Sequence, residues 1–125
     1  MIQHVSIGVR DIAAARKFYD AALGALGYAC LRAHDTWLGY GKDRIEFSAR
    51  ASERPVVADP KSGLHFCFAA PTRKAVEAFH AAALANGGCD NGKPGIRRDY
   101  APAYFAAFVI DPGGFRLEAY CGDET

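Results

Sequence analysis

Two histidines and two glutamates, His4, Glu46, His65 and Glu118, form a set whose side chains suit a divalent ion. Imidazole nitrogen and carboxylate oxygen together serve Zn, Ni, Co, Mn or Fe(II), and an octahedral ion held by four such ligands keeps two positions for water or substrate. Singly, none of them is informative: a glutamate on an alternating strand usually faces solvent. The set has meaning only if folding brings equivalent positions together. In "GFRLEAY" (114–120), Phe115, Leu117 and Ala119 share one face of an extended segment, and Arg116, Glu118 and Tyr120 share the other. Comparable strands must then carry polar groups to the same place.

Self-similarity supplies those strands. Shifting the sequence by 61 lays His4 on His65, Phe18 on Phe79, Ala21-Ala22-Leu23 on Ala82-Ala83-Leu84 and Gly27 on Gly88. Further along, a shift of 72 lays "GKDRIEFSA" (41–49) on "GGFRLEAYC" (113–121), pairing Arg44 with Arg116 and Glu46 with Glu118. The second half is thus longer by eleven residues, which fit in the turn-rich "DNGKPGIRRDYAPAY" (90–104).

Each half has the same grammar. "HVSIGV" (4–9) alternates as a strand, and "DIAAARKFYDAALGAL" (11–26) follows as a helix. Asp11 is its N-cap, and Ile12, Ala15, Phe18 or Tyr19, Ala22 and Leu26 fall at helical spacing. In the second half "LHFCFAA" (64–70) is the strand, and "TRKAVEAFHAAALAN" (72–86) is the helix, capped by Thr72 and ended by Gly87-Gly88. Three shorter strands follow each helix: "YACLRA", "TWLGYG" and "RIEFSA", then a weak one near 88–91, "YFAAFVID" (104–111) and "FRLEAY". The pattern is βαβββ twice within one domain over 1–125, with repeats at about 1–54 and 62–122. In both first strands the apolar residues oppose the histidine, so both imidazoles and both carboxylates point away from the helices.

The 15 basic and 14 acidic side chains nearly cancel, which leaves no electrostatic footprint for nucleic acid or an anionic membrane. No apolar run has signal-peptide or membrane-spanning length, so a cytoplasmic location and a small-molecule partner are expected. Cys30, Cys67, Cys89 and Cys121 form no C-x-x-C pair and are expected as free thiols. Arg97, Arg98, Tyr100 and Tyr104 lie in the inserted segment and are candidate substrate-binding residues, the adjacent arginines suiting an anionic group; the alternative is a solvated loop. Trp37, Tyr40 and Phe105 are candidates for an apolar pocket or for core.

The order βαβββ-βαβββ with His4, Glu46, His65 and Glu118 resembles the vicinal-oxygen-chelate superfamily, which includes glyoxalase I, extradiol dioxygenases, methylmalonyl-CoA epimerase, fosfomycin-resistance enzymes and bleomycin-binding proteins. "HVSIGVRDIAAARKFYDAALGALGY" is similar to that family's opening segment, and "FVIDPGGFRLEAY" to its closing turn and glutamate-bearing strand. The resemblance implies an α+β fold in which two βαβββ modules form a curved mixed sheet around a central cup. It matches His4 to the first-strand histidine, His65 to the fifth-strand histidine, Glu118 to the last-strand glutamate and Glu46 to the additional glutamate of glyoxalase I.

The implied activity is that of a metal-dependent lyase or isomerase acting on a small substrate with vicinal oxygens. The metal acts as Lewis acid, and Glu118 or Glu46 moves a proton next to a carbonyl. Without Glu46 the set becomes the two-histidine, one-carboxylate triad of Fe(II) dioxygenases. A metal-free small-molecule binding protein is the third reading. Small chains of this kind pair, so a homodimer is expected, with the ligands supplied by one chain or shared between two.

Overall fold

A computed structural model describes all 125 residues. Its elements are β1 (Val5–Val9), α1 (Ile12–Gly24), β2 (Ala29–His34), β3 (Trp37–Gly41), β4 (Ile45–Ala51), β5 (His65–Ala69), α2 (Arg73–Ala85), β6 (Cys89–Ile96), β7 (Phe105–Ile110) and β8 (Arg116–Cys121). The expected βαβββ grammar is present twice. Each module is a four-stranded mixed sheet, ordered β1-β4-β3-β2 and β5-β8-β7-β6. The first strand of each pairs in parallel with the last, and the other pairings are antiparallel. The two sheets share no strand pairing, so β1 and β5 are both edges.

The helices start where short polar side chains satisfy the first free amides. Asp11 accepts from the Ala14 amide at 3.0 Å, and Thr72 accepts from the Ala75 amide at 3.1 Å. Past α1, Gly27 adopts φ +88°, a conformation open to glycine and strained for other residues, and the chain leaves the helix there.

The helices pack against each other between the sheets, burying Phe18, Tyr19, Ala22 and Leu23 of α1 with Val76, Phe79 and Ala83 of α2. Alternation on the strands adds Ile7, Leu38, Ala49, Val109, Leu117 and Ala119 to the same core. This uses one face of each sheet and leaves the opposite faces for other work. Asp111 is buried here too. Its carboxylate accepts the Tyr19 hydroxyl and the amides of Gly113 and Phe115, tying α1 to the Asp111-Pro112 turn across the two modules. Both helices have 13 residues, and no helix is long and apolar enough to cross a membrane.

The inserted segment departs from expectation. It is not turn-rich throughout: β6 runs to Ile96, pairing with β7 through two register shifts at Gly92 and Gly95. Cross-strand pairing with the apolar β7 extends the strand through residues whose own preferences favour turns.

Candidate functional site

Each sheet offers a polar hollow on the face away from its helix. In the first module, Ser6, Ser48, Gly39 and Arg32 form one cross-strand row, and Gly8, Arg50, Trp37 and His34 form the next. The Ser6 and Ser48 hydroxyls are 2.6 Å apart. Ser6, Ser48, Arg32, Arg50 and Trp37 of these rows line a hollow of about 530 Å³ together with His4. His4 is exposed, and its Nδ1 donates to Gln3 Oε1 at 2.5 Å.

In the second module Cys67, Glu118 and Phe108 form a row, with His65 and Arg116 in the row beside it. His65, Phe108, Arg116 and Glu118 line a hollow of about 500 Å³ with Tyr100 and Tyr104, and Cys67 faces the neighbouring apolar cavity. Glu118 is 3% exposed, yet its partners here are polar. Tyr104 donates its hydroxyl to Oε2 at 2.5 Å, and His65 Nε2 lies 3.3 Å from Oε1. A buried carboxylate is costly unless such donors surround it. Its field reaches its neighbours: burial first and the Glu118 carboxylate second push the Cys67 thiol up to about 12, so that thiol stays protonated. Burial and the same carboxylate also raise the Tyr104 phenol well above its ordinary value, keeping it a donor.

Glu46 does not repeat Glu118. The residue that repeats Cys67 is Ser6, and Ser6 pairs with Ser48, whereas Cys67 pairs with Glu118. Ser48 therefore occupies the place of Glu118 in the first sheet. A bulge adds to the difference, because Tyr40 pairs with Phe47 while Gly41 pairs with Ile45, leaving Glu46 as the extra residue. Ile45 covers Gly39 on the hollow side, where an added Cβ would meet its Cδ1 at 2.6 Å. Glu46 is exposed, lies 3.6 Å from Arg44 and lines an apolar cavity of about 450 Å³ with Tyr28, Phe47, Phe66 and Phe68, a cavity that His65 and Cys67 also border. After burial, the Glu46 carboxylate is the next cause of the raised Tyr28 phenol.

The inserted residues separate into two groups. Tyr104 reaches Glu118, and Tyr100 packs edge-on against Tyr104 with ring centroids 4.9 Å apart. Arg97 is engaged within the chain: it donates to the carbonyls of Lys93 at 2.6 Å and Gly95 at 2.9 Å and lies over Phe108. Arg98 is exposed and lies outside the lining of that hollow. Tyr40 belongs to the core and Trp37 to the first hollow. Arg32, Arg50 and Cys67 also line or border the hollows. Strand alternation carried a signal for Arg50, which stands two residues from Ser48, but the shift at Leu31 hid Arg32.

For a divalent ion, one chain is incomplete. Donors 3.3 Å apart, as in His65 and Glu118, subtend an angle of roughly 100° at an ion about 2.1 Å from each, which suits tetrahedral or octahedral coordination. No third ligand joins them: the chain has no group of three or more His, Cys, Asp or Glu placed to hold a metal. His4 lines the other hollow, and the two hollows share no lining residue. All four cysteines are free thiols.

Solved structures of similar shape share this arrangement of elements. A glyoxalase/bleomycin resistance protein from Albidiferax ferrireducens T118 is 32% identical, with a TM-score of 0.84 over 94% of this chain and 96% of that one. A glyoxalase-related enzyme from Fulvimarina pelagi is 16% identical, with a TM-score of 0.72 over 96% and 86%. A glyoxalase/bleomycin resistance protein/dioxygenase family enzyme from Burkholderia phytofirmans PsJN is 18% identical, with a TM-score of 0.69 over 95% and 96%. The last two show the fold alone. A comparison with curated proteins gives no match. Residues 1–119 match the family's sequence pattern across both modules, so the chain with paired hollows and a buried Glu118 belongs to the glyoxalase/bleomycin resistance protein/dioxygenase superfamily.

Proposed function

We propose that the protein is a lyase or isomerase of the glyoxalase kind, moving a proton next to a carbonyl of a small substrate with vicinal oxygens. The observation that carries this reading is Glu118, a carboxylate almost wholly withdrawn from solvent at the floor of a hollow, yet met only by polar donors. A carboxylate so placed accepts a proton from a carbon presented in the hollow and returns it to a neighbouring atom. Tyr104 holds Oε2, and Oε1, on the His65 side, is the oxygen that would meet the substrate. Tyr100 and Phe108 border the same hollow.

A homodimer belongs to the same proposal. Each hollow has one sheet as its wall, and β1 and β5 are unpaired edges. Bringing the first hollow of one copy over the second hollow of another would set His4 opposite His65 and Glu118 and complete a metal site that a single chain lacks. When bound, a divalent ion would polarise the substrate oxygens.

The test is deuterium exchange followed by NMR, using a panel of 2-hydroxycarbonyl compounds and hemithioacetals. Exchange of the C–H beside the carbonyl is expected, falling by about 10²–10⁴-fold in Glu118→Gln. Exchange that survives that substitution unchanged overturns the reading. Elemental analysis of protein purified without chelators is expected to show metal that is lost in His65→Ala.

One observation favours a second reading. With Glu46 turned out of the hollow, His4, His65 and Glu118 are two histidines and one carboxylate, the set used by Fe(II) oxygenases. Iron in the protein with oxygen consumption on a catechol selects it. No metal in either protein, with ligand binding retained, selects the binding-protein reading.

A further inference from the structure

The first hollow holds an excess of positive charge that the reaction above leaves unused. Arg32, Arg44 and Arg50 line it against one acid, Asp43. Arg44 is paired with Glu46, but Arg32 and Arg50 are not engaged: the chain's arginine hydrogen bonds belong to Arg10, Arg73 and Arg97, and its arginine ion pairs to Arg16 and Arg44. Both free guanidinium groups are on exposed residues. They stand two strands apart in adjacent rows of one sheet face, a separation of roughly 10 Å across the strands that two long side chains can close onto one small group.

The surroundings shape this charge into a site. Arg50 lies over the Trp37 ring at 5.4 Å, and His34 stacks on the same ring at 5.9 Å with an interplanar angle of 18°. An aromatic face holds a guanidinium flat while leaving its N–H edge free for a bidentate acceptor. Between the two arginines Gly39 contributes no side chain and Ile45 packs over it as an apolar floor, while the paired hydroxyls of Ser6 and Ser48 extend Arg32's row as further polar contacts.

We propose that Arg32 and Arg50 form an oxyanion subsite, taking a carboxylate or phosphate group on the ligand. Resting on the proposed function, this subsite makes the substrate an anion, with its charged end in the first hollow and its reacting carbon over Glu118 of a second copy. Binding of the anion itself does not depend on catalysis and is measured separately.

Calorimetric titration with benzoate, its neutral counterpart benzamide and inorganic phosphate tests it. Benzoate or phosphate is expected to bind with an affinity that falls as salt rises, and benzamide is not. Binding of benzoate alone identifies a carboxylate site, and binding of phosphate alone a phosphate site. Arg32→Gln and Arg50→Gln are each expected to weaken the anion about tenfold or more, while Arg98→Gln leaves it unchanged. Both arginines are exposed, so the variants are expected to keep the wild-type melting temperature. Failure of both anions to bind, or affinity unchanged in Arg32→Gln or in Arg50→Gln, overturns the subsite. Anion binding that needs both arginines, alongside proton exchange indifferent to Glu118→Gln, supports the subsite and overturns the catalytic reading alone.

Discussion

Glu118 lies directly across from Cys67 in the parallel pairing of β5 with β8, whereas Ser6, which repeats Cys67, faces Ser48. The two glutamates that the repeat makes equivalent therefore have different surroundings. Glu118 is buried under Tyr104 and His65, and Glu46 is the exposed extra residue of a bulge. Glu118→Gln is expected to cut proton exchange by about 10²–10⁴-fold. Glu46→Gln is expected to change it less than about threefold and stability by no more than about 0.5 kcal/mol. Paired exchange and thermal-melt measurements on the two variants check this.

Tyr104→Phe keeps the ring stack on Tyr120, whose centroid is 4.2 Å away, and removes only the hydroxyl that Glu118 accepts. The carboxylate oxygen left behind has lost a donor in a buried place. A loss of about 1–3 kcal/mol in urea unfolding is expected, together with slower exchange. Equal stability in wild type and variant would show that water replaces the hydroxyl at no cost.

Gly41 sets the tight hairpin from which Glu46 is displaced. A Cβ there would meet the Arg44 carbonyl oxygen at 1.7 Å, and backbone cannot step aside as a flexible side chain can. Gly41→Ala is expected to cost about 1–3 kcal/mol, read as a lowered melting temperature. Gly24→Ala, at a position with nothing within 4 Å of the added atom, serves as the control and is expected to hold or raise it.

Asp111 gives a pH-dependent prediction. Burial holds its carboxyl above the ordinary aspartate range, and the Tyr19 hydroxyl and turn amides pull it part of the way back. A carboxyl whose folded value is raised binds its proton more tightly in the native state. Its contribution to stability is then greatest at low pH, declines as pH rises from about 3.9 through the folded value, and is constant above that. Tyr19→Phe removes a hydrogen bond that lowers the value, so the folded value rises further. The pH-dependent part of the variant's penalty should be largest at neutral pH and shrink on acidification. Urea unfolding from pH 7 down to pH 4 reads it, and a penalty that grows toward acid would contradict it.

The sequence by itself determined what depends on near neighbours in the chain. Strand alternation put His4 and His65 on the faces away from the helices, Asp11 and Thr72 marked both helix starts, and Glu118 was legible because β8 keeps an unbroken alternation. Tertiary structure decided what depends on the strand across the gap. The displacement of Glu46, the extension of β6 through Gly92 and Gly95 and the approach of Tyr104 to Glu118 follow from how each strand is registered against its neighbour, and the tying of Arg97 to the carbonyls of Lys93 and Gly95 follows from the path β6 then takes. A bulge or a two-residue register change costs little locally, so composition scarcely records it, yet with side chains alternating at a period of two it decides which groups share a hollow.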